Sequence, residues 1–166
     1  LSGNYLGFYR KHSITNASRD ELYEIYAPAY HAHKDEVELI PNVHKTLGCL
    51  KKEGVEIHII TAARKDLAQH LISQANLEQY CDGLHFHVHN KQAQVEAIIS
   101  GMDARPDECV MMGDLPSDVA HAKRAGIKGV AFLNKHVPRD IFSKQYEMDY
   151  ATPYFDGLLD FILSKK

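Results

Sequence analysis

Hydrophobic residues follow two different periodicities along the chain. Short segments typical of strands lie at 55–61, 84–89, 109–112 and 129–132: the first is rich in β-branched residues, the second alternates, and the last two are apolar. Each is shorter than an ordinary helix. Between these runs, apolar residues recur every three or four positions, as they do in amphipathic helices. Strands that alternate with helices in this way predict an α/β protein, with a doubly wound, three-layer α/β/α arrangement around a parallel sheet.

Local signals predict where several helices begin and end. Ser18 opens a capping-box sequence, so a helix is expected directly after it, and Pro28 is expected to kink or interrupt that helix. Pro41 suits the first turn of a second helix. Ser117 is a candidate N-cap, and Gly126 is expected to end the same helix in the left-handed conformation.

The run 84–89 alternates strictly between apolar residues and histidines. This alternation predicts a strand that is buried on one face, at the edge of the sheet. His85, His87 and His89 would then project from the other face, where they could bind a transition metal. Half burial explains the alternation equally well, and it is the preferred interpretation.

Polar residues follow three of the predicted strands. Thr61 ends the first strand, Lys91 follows the second, and Asp114 follows the third, with Asp118 four residues later. The carboxyl ends of parallel strands share one edge of a sheet, so these side chains can converge. The two carboxylates could hold Mg²⁺, while the hydroxyl and the ammonium could bind a phosphoryl group. Arg64, about one turn beyond Thr61, could reach an anionic substrate.

Each of these residues also has an ordinary structural explanation. A threonine at a strand end is usually a β-branched strand residue or a helix cap, and a lysine after a strand is usually solvated. The two aspartates could form an N-capping turn, and Arg64 could simply face water. The functional interpretation is preferred because the polar residues occur together, each at the end of a strand.

Composition and charge exclude several classes of function. The 166 residues predict one domain with at most a small appendage. The formal net charge is −3 without a basic block, so nucleic acid is not an expected partner. No apolar run approaches the ~20 residues that a membrane-spanning helix needs. Cys49, Cys81 and Cys109 form no C-x-x-C pair and are expected to be reduced thiols in a cytoplasmic protein.

Three motifs carry a resemblance to a known family. Residues 57–61 form a strand that ends in threonine, Lys91 opens a helix, and residues 113–126 read Gly-Asp-x-x-x-Asp followed by an alanine-rich helix and Ala-Gly. In these motifs the chain resembles the haloacid dehalogenase superfamily of phosphohydrolases. The resemblance implies a Rossmann-like core at 37–166 and a short helical cap at 1–36. It also implies a small phosphorylated metabolite as substrate and Mg²⁺ as cofactor. Thr61 and Lys91 would be catalytic and phosphate-binding, and Asp114 and Asp118 would hold the metal.

The first motif of that family, Asp-x-Asp on the first strand, has no match, because no two aspartates are separated by a single residue. By the resemblance, that strand lies between the Thr61 strand and the Val110 strand and carries the nucleophile and the general acid/base. Its absence would leave buried backbone groups unpaired, at about 1–3 kcal/mol each. We therefore expect the nucleophile upstream of Leu1, so that the core as given lacks its first strand and could be inactive alone.

Two further functions remain open from the sequence. The chain could be a non-catalytic module of the same fold that binds phosphate without chemistry. A receiver domain of a response regulator also combines aspartate, threonine and lysine, but its acidic cluster comes first along the chain, whereas Thr61 and Lys91 precede Asp114 here. Neither the particular substrate nor the oligomeric state can be deduced from these patterns.

Overall fold

The computed structural model describes residues 18–133, 142 and 147–164, and the chain divides into two compact units, residues 1–38 and 39–166. In the first unit, helix α1 spans Arg19–His33 and a 3₁₀ turn follows at Lys34–Glu36. The capping box is confirmed, because Ser18 Oγ accepts from the Glu21 N–H and the Glu21 carboxylate accepts from the Ser18 N–H. Pro28 was expected to kink or interrupt this helix; the interruption is wrong, since α1 continues through Pro28, and the kink stays a prediction.

The second unit alternates helices and parallel strands. Its helices are α2 (Val43–Lys52), α3 (Lys65–Gln74), α4 (Lys91–Gly101), α5 (Pro116–Arg124) and α6 (Gly157–Leu163). Its strands are β1 (His58–Ile60), β2 (Gly83–His85), β3 (Val110–Gly113), β4 (Lys128–Phe132) and β5 (Tyr150–Thr152). Strand β1 pairs with β2, and β4 pairs with β3 and β5, all in parallel.

Apolar side chains on the two faces of the sheets pack against different helices. On one face, Leu50 of α2 and Phe161 of α6 form a cluster with Val130, against which Val110 and Met112 of β3 also pack. On the other face, Val95 of α4 and Ala122 of α5 form a cluster with Ile127, which lies between α5 and β4. Ile60 of β1 and Met111 of β3 pack against this cluster. Helices therefore cover both faces, which confirms the predicted three-layer, doubly wound α/β fold.

Strands β1 and β3 belong to separate sheets in the part of the chain that the structure describes. Strand β1 has one paired side, toward β2, and β3 has one paired side, toward β4. Because Ile60 and Met111 pack against the same cluster, α4 and α5 connect the two sheets. The expectation that a further strand belongs between β1 and β3 stays a prediction, as do the cap at 1–36 and the core at 37–166.

Several predicted boundaries are wrong. Strand β1 covers less than 55–61, because the Ile57 N–H donates to a side-chain carboxylate instead of a strand partner. Helix α2 begins at Val43, two residues beyond Pro41. The N-cap position of α5 is Leu115 rather than Ser117, since Pro116 with its fixed φ takes the first helical position.

Other features were missed or confirmed. Strand β5 was not predicted, because three residues are too few to show a periodicity. Gly126 has a φ of 76° after α5, as expected of a left-handed helix end. Residues 1–17, which belong to the predicted cap, lie outside the described residues. The three cysteines are free thiols, as predicted, and burial is the main cause that raises the pKa of Cys81 and of Cys109. None of the described helices is long and apolar enough to cross a membrane.

Candidate active site

The residues that begin helices α4 and α5 meet beyond the carboxyl ends of β2 and β3. Lys91, the first residue of α4, donates from Nζ to Oδ1 of Asp118 in α5 over 2.7 Å. The two residues are 27 positions apart in the chain, and each follows its strand by a short loop. The carboxyl ends of β2 and β3 therefore lie at one edge of the fold, which is where ligands bind in open α/β sheets.

Asp118 is enclosed by the turn that precedes it. Its side chain is 4% exposed, and Oδ2 accepts from the Leu115 N–H at 3.3 Å. A side chain at Gly113 would collide with the Asp118 carboxylate, so a glycine at the end of β3 allows the carboxylate to approach. Because a buried carboxylate is costly without a partner, the ion pair with Lys91 stabilises both side chains in this position.

Asp114 directly follows β3 and is exposed at the same edge. Mg²⁺ prefers oxygen ligands, and it commonly binds through one or two carboxylates while it keeps several waters. The exposed carboxylate of Asp114 fits this chemistry. Both oxygens of Asp118 are engaged by Lys91 and Leu115, so Asp118 suits a supporting position behind Asp114. Among the described residues, no group of three or more histidine, cysteine, aspartate or glutamate side chains could hold a metal ion.

Thr61 is fixed by the loop that follows β2. Its N–H donates to the His85 carbonyl at 2.9 Å, and its carbonyl accepts from the Val88 N–H at 2.9 Å. Its Oγ1 accepts from the Ala63 N–H at 3.1 Å, and this turn separates β1 from α3, which begins at Lys65. Since Oγ1 acts as the acceptor in this turn, its own hydrogen can be donated to a ligand.

Two of the predicted site residues are in direct contact, namely Lys91 and Asp118. Thr61 is linked to them through the loop that runs from β2 to α4. Arg64 contacts its own helix, because Nε lies 3.4 Å from Asp66 Oδ1, and 39% of its side chain is exposed. The structure therefore brings Lys91 and Asp118 into direct contact, whereas Arg64 contacts Asp66 of its own helix. The roles of these residues in a site stay predictions.

The histidines at 85, 87 and 89 do not form the row that the alternation predicted. Strand β2 ends at His85, and His87 has a φ of 58°, so the chain leaves the strand geometry there. The ring of His87 meets His89 edge-on, with the ring centroids 4.5 Å apart. The ring of His85 instead meets His58 of β1. The predicted strand is too long because β1, its only described partner, ends at Ile60.

One histidine near the ion pair is not among the site residues predicted from the sequence. His121 lies one helical turn after Asp118, and its Nδ1 is buried without a hydrogen-bond partner in the described part of the chain. Burial is the main cause that lowers the pKa of His121, followed by the positive charge of Arg124. Its spacing of three residues from Asp118 was the available signal, since residues at i and i+3 share a helix face.

The fold defines the chain as a doubly wound α/β protein whose candidate site lies at the carboxyl ends of its strands, and comparisons with known proteins give the family. The model of the haloacid dehalogenase-like hydrolases matches residues 4–132. The chain belongs to this family, which confirms the resemblance seen in the three motifs and the prediction that it is a hydrolase.

Individual relatives agree with this assignment. A pyrophosphatase PpaX from Bacillus mycoides is 28% identical over 152 residues, which cover 88% of this chain and 70% of the relative. A hydrolase from Pseudomonas syringae has a similar structure, with a TM-score of 0.79 and 19% identity, over 96% of this chain and 76% of that one. A haloacid dehalogenase-like hydrolase from Streptococcus pneumoniae gives a TM-score of 0.74 at 20% identity, over 96% and 77% of the two chains. At these identities the two structures support the fold alone.

Proposed function

We propose that this hydrolase is a Mg²⁺-dependent phosphatase that acts on a small phosphorylated metabolite, with its nucleophilic aspartate upstream of Leu1. The observation that carries the proposal is the contact of Lys91 with Asp118 beside the exposed Asp114. This contact brings a cation and an exposed carboxylate together beyond the carboxyl ends of β2 and β3, which suits the binding of a phosphate ester. We expect the protein in the cytoplasm, and residues 1–36 would form a helical cap.

Lys91 and Thr61 would bind the phosphoryl group. The side chain of Lys91 is 22% exposed and its ammonium contacts the buried Asp118, so Lys91 would face a ligand without losing this partner. Its charge would offset the charge of the phosphoryl oxygens in the transition state. Thr61 would donate its hydroxyl hydrogen to one of these oxygens, and Arg64 would reach the distal part of an anionic substrate when it leaves Asp66.

Asp114 would hold the metal ion directly, with Asp118 in support. When bound, Mg²⁺ would offset negative charge on the substrate and orient its oxygens. Asp118 keeps Lys91 in place and contributes a second negative charge close to Asp114, although both of its oxygens have other partners. This division of roles follows from burial, because Asp114 is exposed and Asp118 is nearly inaccessible.

The substrate class is proposed from the relatives together with the site. The PpaX proteins are named pyrophosphatases, so inorganic pyrophosphate belongs in an assay beside small phosphomonoesters such as phosphoglycolate, sugar phosphates and nucleotides. A single lysine and a single exposed carboxylate can serve either kind of substrate, because both present the same terminal phosphoryl group.

The test is a phosphate-release assay on the full-length protein with this panel, with and without Mg²⁺. Replacement of a single charge-stabilising group commonly lowers turnover by about 10²–10³-fold, and we expect this loss for Lys91→Met. Lys52→Met is the matched control, because Lys52 is an exposed lysine at the end of α2. Asp114→Asn should raise the Mg²⁺ concentration needed for half-maximal rate.

Turnover that is independent of Mg²⁺, or an equal loss for Lys91→Met and Lys52→Met, would contradict the proposal. Binding of inorganic phosphate without turnover of any ester would support the non-catalytic module instead.

A further inference from the structure

Two histidines on neighbouring strands meet nitrogen to nitrogen. His58 Nδ1 lies 3.1 Å from His85 Nε2, and the ring planes are within 23° of each other. The ring centroids are 5.4 Å apart, so the rings meet edge to edge in nearly the same plane. This is the geometry of an N–H···N hydrogen bond, in which one ring donates and the other accepts.

The outer nitrogens of both rings also have partners. His58 Nε2 lies 2.9 Å from Glu56 Oε1, and His85 Nδ1 lies 3.1 Å from Gln94 Nε2 on α4. One consistent set of donors satisfies every contact. Gln94 donates to His85 Nδ1, His85 Nε2 donates to His58 Nδ1, and His58 Nε2 donates to the Glu56 carboxylate. In this arrangement both imidazoles are neutral.

Little space surrounds the contact between the rings. A Cβ at Gly83 would collide with His58 Nδ1 and would lie 2.8 Å from His85 Nε2. The side chain of His58 is 18% exposed, and both residues are half-buried. The pair therefore occupies a position that depends on a glycine in β2, and neither ring can move far without breaking the contact.

His85 is also attached to the proposed phosphate-binding residues. Its carbonyl accepts from the Thr61 N–H at 2.9 Å. Its ring contacts Gln94, which lies one turn into the helix that begins at Lys91. His85 is thus hydrogen-bonded to α4 through its ring and to Thr61 through its backbone carbonyl.

An added proton has only one place in this chain of hydrogen bonds. The two rings then carry three protons. One is on His58 Nε2 and is donated to Glu56, and one lies between His58 Nδ1 and His85 Nε2, so the third is on His85 Nδ1. That atom changes from an acceptor to a donor, and Gln94 must then turn its carbonyl oxygen toward the ring. We propose that the His58–His85 pair is a proton-sensitive positioning element, which by its contact with Gln94 adjusts helix α4 and Lys91.

Titratable and charged groups lie on the segments around the pair. Glu56 precedes β1 and contacts His58, whereas Asp82 precedes β2 and is itself paired with Lys51 of α2. Cys109 lies in the segment before β3, and the charge of Glu56 is one of the causes that raise the pKa of its thiol. Burial, and next the neighbouring His58, lowers the pKa of His85, which favours the neutral ring that accepts from Gln94.

The first experiment measures protonation directly and needs no activity. Nitrogen-15 NMR of the full-length protein at pH 8 should show the proton of His85 on Nε2. Gln94→Glu places a carboxylate acceptor opposite Nδ1 and should raise the pH of proton uptake by about one unit. Glu56→Gln removes the charge beside His58 and should lower it. His87→Asn is the control, because asparagine tolerates the positive φ at this position and His87 lies outside the pair.

The second experiment tests the connection to the site. The amide signals of Thr61 and Lys91 should shift with the same midpoint as the pair, and should move with it in Gln94→Glu and Glu56→Gln. This inference rests on the proposed phosphatase function for its kinetic consequence. Below that midpoint, KM for the phosphate ester should rise about fivefold, as expected for one weakened hydrogen bond, while kcat changes less.

The outcomes separate the two proposals. A His85 proton on Nδ1 at pH 8, an uptake that Gln94→Glu leaves unmoved, or amides of Thr61 and Lys91 that do not follow the pair would each overturn the positioning element. If the amides follow the pair but no phosphate ester is hydrolysed, the positioning element stands and the proposed function fails. If esters are hydrolysed with a KM that does not change as the pair takes up its proton, the function stands and the positioning element fails.

Discussion

The two sheets begin in the same way and are stabilised differently. In each, an aspartate before one strand binds the start of the neighbouring segment: Asp82 accepts from the Ile57 N–H at 2.7 Å, and Asp149 accepts from the Gly129 N–H at 2.7 Å. In each, a lysine from a helix also contacts that aspartate over 2.7 Å, Lys51 in the first and Lys123 in the second.

We call this arrangement, an aspartate in contact with a lysine and a backbone N–H, an aspartate clamp. Apart from it, the two sheets differ in burial. Val130 and Ala131 of the three-stranded sheet are 0% exposed, and β4 is paired on both sides. Every residue of β1 and β2 is only half-buried, and the face of this sheet carries the His58–His85 contact. The three-stranded sheet is therefore stabilised mainly by apolar burial, and the two-stranded sheet depends more on hydrogen bonds and charges. Parts of a protein with few buried apolar contacts open more readily, as site regions often do.

The largest expected effect lies under the three-stranded sheet. Phe142 is 1% exposed and packs with Val119 and Ala131, so Phe142→Ala should lower the free energy of unfolding by about 3–5 kcal/mol. Denaturation by urea measures this loss. Phe155→Ala is the control, because Phe155 is only half-buried and should lose clearly less. Equal losses for the two variants would contradict apolar burial as the main stabilising term there.

The next largest effect is expected at Gly113, where β3 of the three-stranded sheet ends at the candidate active site. Gly113→Ala should cost about 1–3 kcal/mol, because its Cβ would collide with the Asp118 carboxylate and displace it from Lys91. Phosphate release should fall together with stability. Gly101→Ala, where a Cβ meets nothing within 4 Å, should leave both nearly unchanged. A Gly113→Ala protein with full stability and activity would show that this close approach is unimportant.

A smaller effect compares the two aspartate clamps. Asp82→Asn and Asp149→Asn each weaken a charge-assisted contact and should each cost about 1 kcal/mol. Amide hydrogen exchange should separate them, because the amides of β1 have less apolar burial to protect them than those of β4. We expect faster exchange at 58–60 in Asp82→Asn than at 128–132 in Asp149→Asn. The opposite order would overturn the comparison between the sheets.

Acid should weaken the contacts of Asp82 with Lys51 and Ile57 within a defined range of pH. The hydrogen bond from Lys51, and next the Ile57 N–H, lowers the pKa of Asp82 below its usual value. Its contribution to stability is therefore complete above about pH 4 and is lost as the pH falls through the lowered pKa of the folded protein. Unfolding measured from pH 5 to pH 2 should show a shallower decline for Asp82→Asn than for the unchanged protein. Parallel curves would exclude this role.

The smallest effect concerns a buried hydroxyl in α2. Thr46 is 0% exposed, and its Oγ1 finds no hydrogen-bond partner in the described part of the chain. Thr46→Val should leave stability unchanged or raise it by up to about 1 kcal/mol. Thr152→Val is the matched control, because Thr152 Oγ1 both donates to the Tyr154 carbonyl and accepts from its N–H. A thermal melt should rank the control below Thr46→Val, and the reverse order would contradict the difference in hydrogen bonding.

Much of the candidate site could be predicted because its residues follow strands. Lys91 begins a helix as expected, and the Gly-Asp-x-x-x-Asp motif lies at the end of β3 and the start of α5. The spacing of Asp118 from Gly113 is a local property, so the close approach of these two residues belongs to one turn of chain. Ser117 was wrongly expected to be the N-cap, because Pro116, the residue before it, takes the first position of the helix.

Apart from β5, the succession of strands and helices, the family and the residues at strand ends all followed from the amino-acid sequence, because these depend on periodicity and on neighbours within a few positions. Only the tertiary structure decided which distant residues touch: Lys91 with Asp118, and His58 with His85, each pair 27 positions apart. It also decided that β2 ends at His85, since a strand extends only as far as its partner. Contacts across strands depend on pairing register, and register is set by the whole packed core rather than by any short segment.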